Sequence, residues 1–205
     1  GSEPMPLTFA GLAHKIVALL DALGFDTAHL CGQSIGGMVA METACRFPDR
    51  VASLALIGTT SAFGGHDDSF KDAFISARLK PLDEGLTLPD LAQTFVPEII
   101  GPIADDAARD AAIASMSAVP EATYRDVIRC LVTFNRRDDI ADLRHPTCLI
   151  AGEHDLMAPP KTMHRMADKM LNAEIHVVEG AGHLINLEAP DTTNDILRAF
   201  YGKLT

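Results

Sequence analysis

Apolar residues recur at helical spacing between Thr8 and Leu23, at Leu12, Ile16, Leu19, Leu20 and Leu23, and Gly24 stops that run. Ala28 to Cys31 reads as a short buried strand. Met38, Val39, Met41 and Ala44 then form a helical stripe, closed by Pro48. Val51 to Ile57 reads as the next strand and ends at Gly58-Thr59-Thr60. Beyond it the pattern changes. From Ser61 to Arg137 the chain shows helical stretches broken at Gly64-Gly65, Pro81, Pro89, Pro97, Gly101-Pro102 and Pro120, with no clear strand. After Pro146 the alternation resumes: a strand over 147–151, a helix from Pro160 to Leu171, a strand over 174–178, and a helix from Pro190 to Leu204. Pro160 and Pro190 both suit a first helical turn. Strands alternating with helices predict an α/β protein with a parallel sheet flanked by helices. The core then comprises residues 1–60 and 138–205, and 61–137 is an inserted helical unit.

A length of 205 residues with 47% hydrophobic composition is enough for one real core. The formal net charge of −11 argues against nucleic acid or an anionic membrane as a partner. Cys31, Cys45, Cys130 and Cys148 lack metal-like spacing and read as reduced core thiols. No run is long enough for a membrane-spanning helix and no signal peptide is evident, so the expected location is cytoplasmic. No metal or cofactor is expected: His164 and Asp168 share a helical face, but two ligands do not make a site. Met163, Met166 and Met170 read as core-facing. The chain opens Gly1-Ser2-Glu3-Pro4, which reads either as a tag remnant or as native sequence at an internal cut.

The candidate chemistry lies where predicted strands end. Gly32-Gln33-Ser34-Ile35-Gly36 is a G-x-S-x-G pentapeptide between strand and helix. A nucleophilic serine needs such a turn, because its hydroxyl must stand clear of the backbone with small neighbours on both sides. The Ile35 N–H, at the helix N-terminus, would face a developing oxyanion. Ala151-Gly152-Glu153-His154-Asp155 follows the third strand, and Gly180-Ala181-Gly182-His183 follows the fourth. Open parallel sheets build their sites in such loops. Ser34, Asp155 and His183 are therefore candidates for nucleophile, acid and base, with Glu153 as the rival acid and a helix N-cap as Asp155's alternative role.

Serine, acid and histidine in that order, each after a strand, resemble the α/β-hydrolase fold from about Leu7 to Phe200. Within that family the Gly-Gln-Ser-Ile-Gly-Gly elbow, the Gly-Glu-His-Asp loop with Ala158-Pro159-Pro160, and Gly-Ala-Gly-His-Leu look most like 3-oxoadipate enol-lactonase and related esterases. The resemblance implies a serine hydrolase of small esters or lactones, working without a cofactor, with 61–137 as its cap. Two neighbouring activities stay open: C–C bond cleavage of meta-cleavage products, and slow-turnover ligand reception. Haloperoxidase-like esterases are a third relation, whereas a dehalogenase would need aspartate at Ser34. The family sheet normally carries twice as many strands, and the missing ones are its N-terminal half. With them goes the loop that usually supplies a second oxyanion N–H. A separate polypeptide or a second copy is therefore expected beside residues 28–31, and the chain alone is expected to be inactive and to aggregate.

Arg125, Arg129, Arg136 and Arg137 crowd the end of the inserted unit, interleaved with Asp126, Asp138 and Asp139. They read either as a solvated face or, for Arg125, Arg129 or Arg136, as a clamp for a substrate carboxylate.

Overall fold

The computed structural model describes residues 6–64 and 69–204. The status of Gly1-Ser2 and the expected break at Gly65 lie outside these residues. Four strands form one sheet in the order β1 (Ala28–Gln33), β2 (Val51–Ile57), β3 (Thr147–Gly152) and β4 (Ala173–Val178), all parallel. The register sets Gln33 opposite Ile57, Ile57 opposite Ile150, and Gly152 opposite Val178. The loops that follow the strands therefore emerge along one rim.

β2 and β3 are almost wholly buried, as strands covered on both faces must be. Leu54, Leu56 and Leu149 pack with Met38, Met41 and Met163 on one face, under α2 (Ile35–Arg46) and α7 (Pro160–Ala167). Ile57, Cys148 and Ile150 pack with Ile185 and Phe200 on the other, under α8 (Ile185–Glu188) and α9 (Pro190–Gly202). α1 (Phe9–Leu23) lies on α2. Met163, Met166 and Met170 are all buried.

Among the described residues four helices occupy the stretch read as an insertion: α3 (Ser69–Asp83), α4 (Leu88–Ile99), α5 (Asp106–Ser117) and α6 (Glu121–Leu131). Leu79, Leu82, Leu88 and Ile128 give them a small core of their own. The two ends of the stretch are stitched together where Phe63 N–H donates to Phe134 and Arg136 N–H donates to Ser61.

Several expectations are corrected. Pro81 and Pro97 do not break the chain but sit inside α3 and α4. Each stands two residues before its helix ends, so the forfeited amide bond falls in a last turn that is already leaving helical geometry. α7 stops at Ala167 rather than Leu171, because Lys169 N–H bonds three residues back to Met166 and Met170 N–H is shared between Met166 and Ala167, which tightens the chain into a turn. The final helix ends at Gly202 instead of Leu204, and the one-turn α8 was not anticipated. Cys31 is exposed, unlike a core thiol, because β1 has a strand neighbour on one side only among the described residues. Two of the five apolar stripe positions of α1, Leu19 and Leu23, are also exposed. Among the described residues no helix is long and apolar enough to cross a membrane.

Candidate active site

The turn from β1 into α2 holds Ser34 at φ 51°, the single positive φ on a non-glycine among the described residues. Such a backbone costs about 1–3 kcal/mol and persists where neighbours over-determine it. Here they do. Ser34 N–H donates to Ile57, the Thr59 hydroxyl donates to the Ser34 carbonyl at 2.7 Å, and Gly32 lets the strand lie against the helix. A Cβ on Gly32 would stand 2.2 Å from the Gly36 carbonyl.

His183 Nε2 lies 3.0 Å from Ser34 Oγ, and His183 Nδ1 lies 2.9 Å from Asp155 Oδ2. An ionised carboxylate only accepts, so Nδ1 carries the ring proton and Nε2 accepts from the serine hydroxyl. Asp155 is 1% exposed, and its other oxygen accepts from Met157 N–H at 2.7 Å and Ala158 N–H at 2.9 Å. Both carboxylate oxygens are thereby fixed. Gly58, at φ 49°, has its Cβ position 3.2 Å from Asp155 Oδ2, so a side chain there would crowd the pair. Glu153 turns elsewhere: its carboxylate accepts from Gly180 N–H. Ile35 heads α2, where an amide has no partner within the helix. In this arrangement a histidine can take the serine proton as the oxygen attacks an acyl carbon.

The loop bearing His183 is braced by a residue that sequence reasoning missed. Glu188, 8% exposed, accepts from Gly101 N–H at 2.6 Å, Gly182 N–H at 2.8 Å and Leu184 N–H at 2.9 Å. The Gln33 amide donates to the His183 carbonyl, and His183 N–H donates to Ile99. The carboxylate thus ties the end of α4 to the histidine loop. Glu188→Ala leaves three amides without this acceptor and is expected to cost about 3 kcal/mol of stability or more. Urea unfolding checks it, and a loss below about 0.5 kcal/mol would contradict the bracing role.

Ser34 and His183 open into a cavity of about 470 Å³. Its walls are mostly apolar, with Phe74, Phe95, Ile99, Met116 and Leu187 among them. Arg125, Arg129 and Arg136 are not in its lining. Arg125 bridges Glu121 and Asp83. Arg129 sits on the surface near Asp126. Arg136 grips Glu42, 4% exposed, with two nitrogens and Asp139 with a third. Burial pushes the Glu42 carboxyl up, but hydrogen bonds from Arg136 and Arg46 outweigh it and hold the group below its usual range. The carboxylate-clamp expectation therefore fails for these three, since abundant neighbouring acids already claim them. The arginine that does line the cavity is Arg78.

Among the described residues one set of potential metal ligands, Cys148, Glu174 and His176, lies near the far ends of β3 and β4. Burial pushes the Cys148 thiol up to about 12, and Glu174 is paired with Lys203. That set suits a protonated thiol beside an ion pair better than a cation.

The profile of the alpha/beta hydrolase family matches residues 1–196. A curated protein named "Putative carbamate hydrolase RutD" from Azorhizobium caulinodans is 27% identical, over 100% of this chain and 77% of its own length. A solved hydrolase from Pseudomonas aeruginosa PA01 superimposes with a TM-score of 0.85 at 25% identity, over 98% of this chain and 75% of its own. The enol-lactonase from Burkholderia xenovorans LB400 also gives a TM-score of 0.85, at 22% identity, over 98% of this chain and 75% of its own.

Proposed function

This chain belongs to the alpha/beta hydrolase family, and from that premise we propose that it cleaves small carboxylic esters or lactones through an acyl-enzyme on Ser34. His183 acts as base and then acid, Asp155 holds the imidazole, and the Ile35 N–H contributes to the oxyanion site. The observation that carries this reading is the continuous hydrogen-bond line from Asp155 through His183 to Ser34, ending in a mostly apolar cavity. An alcohol is too weak an acid to attack unaided at neutral pH, and this line supplies the missing base. The carbamate named for the Azorhizobium relative is an acyl compound of related chemistry.

A panel of short-chain p-nitrophenyl esters and unsubstituted lactones tests the proposal in the intact protein. Turnover that depends on Ser34 supports it. Tight binding of those compounds without turnover would favour a ligand receptor instead. The reading also places a further strand, from another stretch of polypeptide, on the open side of β1. Slow amide exchange along all of residues 29–32 in the intact protein supports that strand, and rapid exchange of every second amide opposes it.

A further inference from the structure

Arg78 stands out from the other sheltered arginines. Arg50, Arg125 and Arg136 keep side-chain exposures of 25%, 20% and 21%, and each spends its guanidinium on a carboxylate within 2.7 Å. Arg78 is half-buried, yet among the described residues it makes neither an ion pair nor a hydrogen bond. Its guanidinium carbon lies 3.8 Å from the centre of the Phe95 ring and 5.3 Å from that of Phe74. Ring faces stabilise a cation but offer no acceptors, so its five N–H donors are left available. Sheltering a charge in this way costs free energy unless something pairs with it.

Its position suggests what that is. Arg78 lines the cavity that holds Ser34, together with Phe74, Phe95 and Tyr124. Arg78, Phe95, Met116 and Tyr124 also line a smaller depression of about 180 Å³, so the guanidinium stands in the wall common to both. Among the described residues no other lysine or arginine lines the main cavity. Glu98 is the carboxylate whose charge acts on Arg78, and it is exposed and outside ion-pair distance.

We propose that Arg78 is the specificity-determining residue of this site and pairs with a carboxylate carried by the substrate, so that the preferred ester or lactone is a monoanion. This deepens the hydrolase reading of Ser34 and rests on it. A planar guanidinium matches a carboxylate with two parallel hydrogen bonds. One cation offsets one negative charge. A dianionic phosphate monoester would bring a second, uncompensated charge into an apolar cavity. Burial pulls the guanidinium somewhat below its ordinary value, but arginine remains charged at neutral pH.

Two esters with the same leaving group test the proposal: neutral p-nitrophenyl butyrate and anionic mono-p-nitrophenyl glutarate. Arg78→Met in the intact protein should lower kcat/KM for the glutarate ester by about 10–100-fold and for the butyrate ester by less than about 3-fold. Arg78→Lys should recover part of the difference, since it restores charge without the fork. Equal losses on both esters, or no loss on the anionic one, overturn the proposal and leave Arg78 as a packing residue. Calorimetric binding of 4-phenylbutyrate to wild type and Arg78→Met gives a readout without turnover. Affinity at least about 10-fold weaker in the variant supports the anion site, and equal affinity overturns it. If neither ester is hydrolysed, the Ser34 reading fails, and the binding comparison still decides the role of Arg78.

Discussion

Ser34→Ala in the intact protein is expected to lower kcat for a short acyl ester by about 10⁴-fold or more, with stability changed by less than about 1 kcal/mol. Both halves follow from the turn. The serine hydroxyl is the atom aligned 3.0 Å from His183 Nε2, and alanine removes it without replacing it. The strained backbone at φ 51° is held by other groups: the Thr59 hydroxyl, the Ile57 carbonyl and the close approach permitted at Gly32. Alanine meets the same backbone penalty as serine, so the fold should survive. KM should move little, because every other side chain lining the cavity is unchanged. Turnover within about 10-fold of wild type would remove Ser34 from the chemistry.

The second large effect concerns the acid. Asp155→Asn should reduce kcat by about 10⁴-fold, whereas Glu153→Gln should change it by less than about 5-fold. The asparagine argument is one of hydrogen-bond polarity. The position of Asp155 Oδ1 accepts from two backbone amides, at Met157 and Ala158. An asparagine must place its carbonyl oxygen there, so its NH₂ faces His183 Nδ1. A donor at that point forces Nδ1 to accept, which puts the ring proton on Nε2. Nε2 can then no longer take the serine proton. Glu153 accepts from the Gly180 amide, 27 residues along, and lies near the exposed His154 rather than bonding the His183 imidazole. Steady-state kinetics of the two variants separate the acids, and a larger loss in Glu153→Gln would reverse the assignment.

The candidate site was legible in the sequence to the extent that its residues sit in short glycine-rich loops after apolar runs. Ser34, Asp155 and His183 could be singled out for that reason, and the parallel register brings their loops to one rim. The choice between Asp155 and Glu153 was not decided by local pattern. It depends on which carboxylate faces Nδ1 after β3 and β4 have paired. The arginines mark where sequence reasoning ran out. A cluster of basic residues draws attention, but acids that the fold brings in from elsewhere in the chain absorb their charge, as Glu42 does for Arg136 and Asp83 for Arg125. Arg78 lies in a helix of mixed pattern, and its one signal was a phenylalanine four residues earlier, on the same helical face. Glu188 sits in an apolar stretch beside Leu187 and Ala189, and nothing local says that three amides converge on it. The exposed side of β1 and the partly exposed stripe of α1 share a cause: periodicity records which face is apolar, not what covers it.

Covalent capture tests the central claim most directly. A fluorophosphonate reacts with a serine whose hydroxyl is activated by a neighbouring base and leaves its phosphonyl group on that oxygen. Peptide mass spectrometry of the treated intact protein should find the adduct on Ser34, and His183→Ala should slow its formation by about 10³-fold or more. An unmodified Ser34 after prolonged exposure, or labelling at an undiminished rate without His183, would contradict a histidine-activated serine nucleophile.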